Sequence, residues 1–197
     1  MITYKTRSNL EKYHKNEKEL IEEQLLIKAA QEDPARFDVL YNHYYRSVFV
    51  FIYKRTDDEE LTADITSQVF LKALINIQKF QFRGVPFSAW LYRIAFNEVN
   101  LYFRKSNKVC HVNIEKEGMN FLVNDLETNE KESAYQYLLQ KMQELDEEDV
   151  QLLELRYFEK RSFAEIGVIC GITENNSKVK VYRILDKLKK MMKGNPL

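Results

Sequence analysis

The 197-residue chain has two cysteines, three prolines and five glycines, and each scarcity excludes something. Two cysteines cannot build the disulfide framework that staples small secreted domains. So few prolines and glycines leave little punctuation for the tight turns of an all-β fold. No run of 18 or more apolar residues is present to cross a bilayer, and nothing resembles a secretory leader. A cytoplasmic protein without membrane insertion is expected. Cys110-His111 has no second cysteine–histidine pair at zinc spacing, and Cys170 beside Gly171 reads as a small buried hydrophobe. His14 and His43 have no evident nucleophilic companion, and no glycine-rich phosphate loop occurs. The carboxylates of Asp146–Asp149 are consecutive, as suits a helix start rather than a catalytic pair. Neither enzymatic activity, cofactor nor metal is expected.

Charge of one sign is also missing overall, since 30 Lys and Arg balance 30 Asp and Glu. The charge is nevertheless sorted along the chain. Residues 79–108 carry six cations (Lys79, Arg83, Arg93, Arg104, Lys105, Lys108) against Glu98. Residues 109–154 carry twelve acids against three lysines, and residues 174–197 carry seven cations against Glu174 and Asp186. Two basic blocks flanking an acidic one fit either two polyanion-facing surfaces or simply solvated helix faces.

What is abundant is helical periodicity. Apolar residues recur at three- and four-residue steps in Phe37, Leu40, Tyr41, Tyr44, Val48, Phe51 and Ile52, until Thr56-Asp57-Asp58 breaks the helix. Leu61, Ile65, Val69, Ala73 and Ile77 form a second stripe; Pro86 opens a third helix with Phe87, Trp90, Leu91, Ile94, Ala95 and Leu101. The predicted organisation is all-α: a polar extension (1–21), a helical domain (22–106), a flexible acidic linker (107–133), a second small helical domain (134–190) and a tail (191–197). In the second domain Leu138, Met142 and Leu145 face inward, and Asp146 caps a helix from Glu147 to Phe158 burying Val150, Leu153 and Tyr157. Ser162-Phe163-Ala164-Glu165 is a capping box, Gly171 a helix stop, and Thr173 the cap of a last helix through Leu188. A short capped helix, a glycine turn and a basic helix fit a DNA-binding helix-turn-helix or an ordinary αα-hairpin with a solvated basic helix, with Val179, Ile184 and Leu188 turned inward. Upstream, Phe80, Phe82, Phe87, Trp90, Tyr92 and Phe103 interleave with cations, as single-strand binding requires. Phe87, Trp90 and Ile94 read as core, whereas Tyr92 and Arg93 fall off the stripe and are expected to be exposed.

Leu61-Thr-Ala-Asp-Ile-Thr-Ser-Gln-Val-Phe-Leu-Lys-Ala73, followed by Phe87-Ser-Ala-Trp-Leu-Tyr-Arg-Ile-Ala95, resembles the signature of bacterial sigma factors of the small, two-domain extracytoplasmic-function branch. Leu145–Val150, Glu154–Phe158 and Ser162–Leu188 resemble that family's C-terminal domain in the same order. The resemblance implies that Asp64, Gln68 and Lys72 dock on RNA polymerase core. It places Phe80, Arg83, Tyr92, Arg93, Asn97 and Arg104 on the melted minus-ten strand. Thr173, Asn175, Asn176, Lys178, Lys180 and Arg183 fall on the duplex minus-thirty-five element. It allows for an anti-sigma partner. Two departures stand out: Gly167 where the family usually has Ala, and Ser177 where a small apolar residue is commoner. A stand-alone helix-turn-helix regulator is the alternative, but it leaves the aromatic-basic block without a task. A purely protein-binding scaffold likewise leaves the basic helix unexplained. The acidic linker, with Glu115, Glu117, Asp125, Glu127, Glu130 and Glu132, is either a solvated spacer or an internal competitor for the DNA-facing surfaces.

Overall fold

The computed structural model describes residues 17–82, 84–106, 122, 123, 126 and 131–193, and every regular element among them is helical. Four helices make the first of two compact units: α1 (Glu17–Glu32), α2 (Phe37–Thr56), α3 (Glu59–Asn76) and α4 (Phe87–Ser106). The second contains α5 (Lys131–Met142), α6 (Glu147–Leu153), the Phe163–Gly167 part of α7 (Phe163–Cys170) and α8 (Glu174–Lys193).

In the first unit the boundaries follow local chemistry. The α2 helix ends where Asp57 takes a left-handed φ of 48°. Asp58 then turns extended, and its carboxylate accepts the Leu61 N–H at 3.0 Å to cap α3. Leu40, Tyr44, Val48, Phe51 and Ile52 of α2 are buried, opposite Ile65, Val69, Phe70 and Ala73 of α3. Thr62 and Thr66 also lie inside α3's buried face, where their hydroxyls donate to the carbonyls of Asp58 (2.6 Å) and Thr62 (2.7 Å). A buried hydroxyl thus finds a partner one turn back and costs the core little. Pro86 precedes α4 rather than beginning it, its carbonyl accepting the Ala89 N–H at 2.9 Å.

The N-terminus of α4 is capped by the buried carboxylate of Glu23, reaching over from α1. It accepts the Phe87 N–H at 2.9 Å and the Tyr44 hydroxyl. A carboxylate at this end satisfies an orphan donor and meets the positive end of the helix dipole. Gln31 of α1 holds the other end of the α3–α4 connection, donating to the carbonyls of Ile77 (2.9 Å) and Phe80 (3.0 Å).

The second unit packs α8 across α5 and α6. Leu138, Met142 and Leu145 are inside, as their spacing predicts. Asp146 does stand at the N-cap of α6, but its side chain makes no capping bond.

Several expectations need correction. The helix expected from Glu147 to Phe158 is α-helical only to Leu153, then widens into a π-turn over Glu154–Phe158, with Glu159 N–H bonding Glu154 C=O at 2.9 Å. Gln151–Leu155 are buried in succession, more than one face of an ordinary α-turn can place inside, and Val150 is only half-buried. The first helix begins at Glu17, inside the expected extension, and the last runs to Lys193, inside the expected tail. Within the expected linker, Leu122, Val123 and Leu126 are buried, with a helical bond from Leu126 N–H to Leu122 C=O of 3.0 Å. Among the linker acids, Glu115, Glu117, Asp125, Glu127 and Glu130 lie outside the described residues, as do Cys110, His111 and His14.

Candidate nucleic-acid and protein interfaces

The hairpin of α7 and α8 is set by six polar contacts and one missing side chain. Ser162 and Glu165 form the reciprocal capping box: Ser162 N–H and hydroxyl reach Glu165 Oε2 at 2.9 Å each, and Glu165 N–H reaches Ser162 Oγ at 3.1 Å. Gly171 stops α7 with φ +71°, and Thr173 Oγ1 caps α8 by accepting the Asn176 N–H at 3.2 Å. Ser177, fully buried, stands 2.8 Å from Phe163 C=O and 2.7 Å from Glu174 C=O, so its hydroxyl hydrogen serves either. At Gly167 the turn folds back so closely that a Cβ would lie 2.9 Å from Ile172 O and 3.1 Å from Glu174 N. Both departures noted above are thus buried in the hairpin, Gly167 against the turn and Ser177 on two carbonyls.

The outer face of α8 carries Asn175, Asn176, Lys178 and Arg183, all exposed, beside the exposed cap Thr173. Its inner face is Val181, Ile184, Leu185 and Leu188. Val179, expected inside, is 56% exposed: it lies four residues from both Asn175 and Arg183, on the outward line. The cations do not share one broad face. Lys180 is half-buried and pairs with Glu148 at 3.9 Å, and Lys187 lies 3.7 Å from both Asp146 and Asp149. The acidic start of α6 thus draws two lysines to one flank. On the same unit, the Glu144 carboxylate hydrogen-bonded to Lys141 at 2.7 Å holds that ammonium above its usual range.

In the first unit, α4 presents Arg93, Asn97 and Arg104 to solvent, while Arg83 lies outside the described residues. Phe80 is half-buried against Phe87 and Trp90, with ring centroids 5.1 Å from each. Tyr92 contradicts its expected exposure: it is 2% exposed, packed edge-on to Phe51 at 4.6 Å, with its hydroxyl 3.5 Å from Ser47 C=O. The stripe of α4 actually runs Phe87, Ser88, Leu91, Tyr92, Ala95, Val99 and Phe103. That line leaves Trp90 and Ile94 at half-buried edges.

On α3, Asp64 and Gln68 are exposed. Lys72 is exposed too, yet tied to Glu98 of α4 at 2.6 Å. Leu71 (57% exposed) and Ile75 (66%) lie on the same face as Asp64 and Gln68, an apolar element that the stripe analysis passes over. The signal for it is there: leucine and isoleucine at positions the buried stripe does not use.

Comparison with known proteins explains this pairing of units. The family model for sigma-70 region 2 matches residues 40–109, and that for sigma-70 region 4 matches residues 135–188. The chain belongs to the sigma-70 family. Its branch is the extracytoplasmic-function one. The chain is similar to the ECF RNA polymerase sigma factor BldN of Streptomyces coelicolor, 30% identical over 85% of this chain and 64% of the relative. It is also similar to the ECF RNA polymerase sigma factor SigM of Bacillus subtilis, 27% identical over 77% of this chain and 92% of the relative. This sigma factor shares its fold with CnrH, solved in complex with the cytosolic domain of CnrY. That match has TM-score 0.55 and 16% identity, over 88% of this chain and 99% of the other. A second likeness is to the sigma factor RpoE of Bartonella quintana, solved with the anti-sigma factor NepR. There the TM-score is 0.52 at 17% identity, over 81% of this chain and 98% of the other.

Proposed function

We propose that this sigma factor binds RNA polymerase core through the exposed face of α3 and directs initiation by reading promoter DNA with both units. Asp64 and Gln68, with Leu71 and Ile75 beside them, supply a mixed polar and apolar docking face. Lys72 contributes less, because Glu98 already engages it. Arg93, Asn97 and Arg104 would hold the backbone of the melted minus-ten strand, with Phe80 and Trp90 as an aromatic wall; the resemblance adds Arg83, which lies outside the described residues. Tyr92 is not part of that surface. Holding flipped bases offsets the unstacking cost of a few kcal/mol, so melting is driven by binding rather than by catalysis. In the second unit, α8 lies in the major groove of the minus-thirty-five element: Asn175 and Asn176 read base edges, and Lys178 and Arg183 engage phosphates or guanine.

On this reading the protein is a non-enzymatic initiation factor of the cytoplasm that needs no cofactor. Among the described residues no helix is long and apolar enough to cross a membrane, and no cluster of acids, histidines and cysteines could hold a metal. The solved relatives held by partner domains support an anti-sigma protein as a further partner.

One observation carries the proposal: region 2 and region 4 occur in order on one chain, on helical units that each expose cations. The test is a promoter selection from genomic DNA with protein alone, core alone and both together. A shared two-part element recovered only by the mixture is expected. Duplex binding by the protein alone would make it a stand-alone regulator, and recovery of nothing would leave a scaffold.

A further inference from the structure

The core of the second unit is complete without Val179, since Val181, Ile184, Leu185 and Leu188 fill α8's inner face. Val179 instead projects from the middle of the outer face, within the first two turns of the helix, in line with Asn175 before it and Arg183 after it. Singly exposed apolar residues are ordinary; this one is notable for its surroundings. Tyr182, 52% exposed and leaning on Phe163 at a centroid distance of 6.1 Å, walls one side. Lys178 and Arg183 border the patch and have no acidic partner among the described residues, whereas Lys180 and Lys187 are turned toward the carboxylates of α6. An apolar centre flanked by outward cations complements an anionic surface that carries an apolar group inside its groove. In duplex DNA that group is the thymine 5-methyl, displayed on the major-groove edge.

We infer that Val179 is a specificity-determining residue that packs its isopropyl group against a thymine 5-methyl in the upstream promoter element. This rests on the proposal that α8 reads that element. The branched side chain has one favoured rotamer in a helix, so it meets the groove pre-set and loses little freedom on contact. Amide and guanidinium groups at Asn175 and Arg183 would fix the register one turn to either side.

The test uses holoenzyme assembled from polymerase core and the full chain, and duplexes carrying the selected element. Each thymine of the upstream half is replaced in turn by uracil, which removes only the methyl group. One replacement is expected to weaken wild-type binding by about fourfold, the worth of one buried methyl-sized group. Val179→Ala should bind the thymine duplex more weakly and respond to that same uracil not at all, with Val179→Thr intermediate. Equal responses of wild type and Val179→Ala at every position would overturn the inference while leaving promoter reading intact. So would a loss of core affinity by Val179→Ala without DNA, which would assign the residue to a polymerase surface. Failure of the holoenzyme to select any upstream element would overturn the promoter reading and this inference with it.

Discussion

Gly167 shows how one missing methyl sets local geometry. Alanine is the better helix former by about 1 kcal/mol, and the family usually has it here. The turn has moved into the space instead, putting Ile172 O 2.9 Å from where a Cβ would lie. Backbone cannot swing aside as a side-chain tip can, so overpacking of about 1–3 kcal/mol outweighs the propensity gain. Gly167→Ala should lower unfolding stability by about 1 kcal/mol net, read as a lower denaturant midpoint at unchanged slope. The lysines of α8 make a second residue-scale case. Lys178 is exposed on the outer face, while Lys180 faces Glu148. Lys178→Ala is expected to reduce the salt slope of promoter binding by about one, and Lys180→Ala by clearly less. Equal slopes would mean that the Glu148 pair opens on binding, as weak surface pairs can.

At the scale of elements, α1 acts as a brace for α4. Among the described residues of the first unit, Glu23 is the only buried carboxylate, and it reaches 64 positions along the chain to the Phe87 N–H. Its removal takes the acceptor from that N–H and breaks the bond from the Tyr44 hydroxyl. Each buried polar group so affected costs about 1–3 kcal/mol. Glu23→Ala should therefore destabilise the protein by about 2–4 kcal/mol, in thermal or denaturant melts, with Glu23→Gln much milder because the amide oxygen still accepts. Nothing in the sequence marks Glu23, since one carboxylate in an acidic amphipathic helix looks like any other. The capping of the helix-turn-helix, by contrast, is legible to the residue: Ser162, Glu165, Gly171 and Thr173 do what their spacing predicts. Capping is a local interaction, and local interactions are written in local sequence.

For the whole molecule, the division into two helical units was readable from the order of stripes and charge blocks. On the proposed function both units are engaged at once, so the proposed docking face of α3 is where they can be uncoupled. Asp64→Ala with Gln68→Ala should weaken core binding several-fold in a pull-down and leave the circular-dichroism spectrum and melting temperature nearly unchanged, because both residues are exposed. Adding Leu71→Ser should deepen the loss if the apolar part of that face is buried by polymerase. Unchanged affinity in the triple variant would place the core contact elsewhere.

Sequence alone determined the all-helical class, the helix breaks at Thr56–Asp58 and Gly171, the capped hairpin, and the resemblance that led to the family. These depend on periodicity, caps and turn residues, all encoded within a few positions of one another. Tertiary structure decided which way each helix turns. Tyr92 went into the core and Val179 out of it, because an amphipathic stripe fixes a face only to within about one residue and the neighbouring helix settles the rest. It also decided the long-range pairings, Glu23 with Phe87 and Lys187 with Asp146 and Asp149, and the widened turn at Glu154–Phe158. Such contacts join residues far apart in the chain or answer to packing from several sides, and no local pattern carries that information.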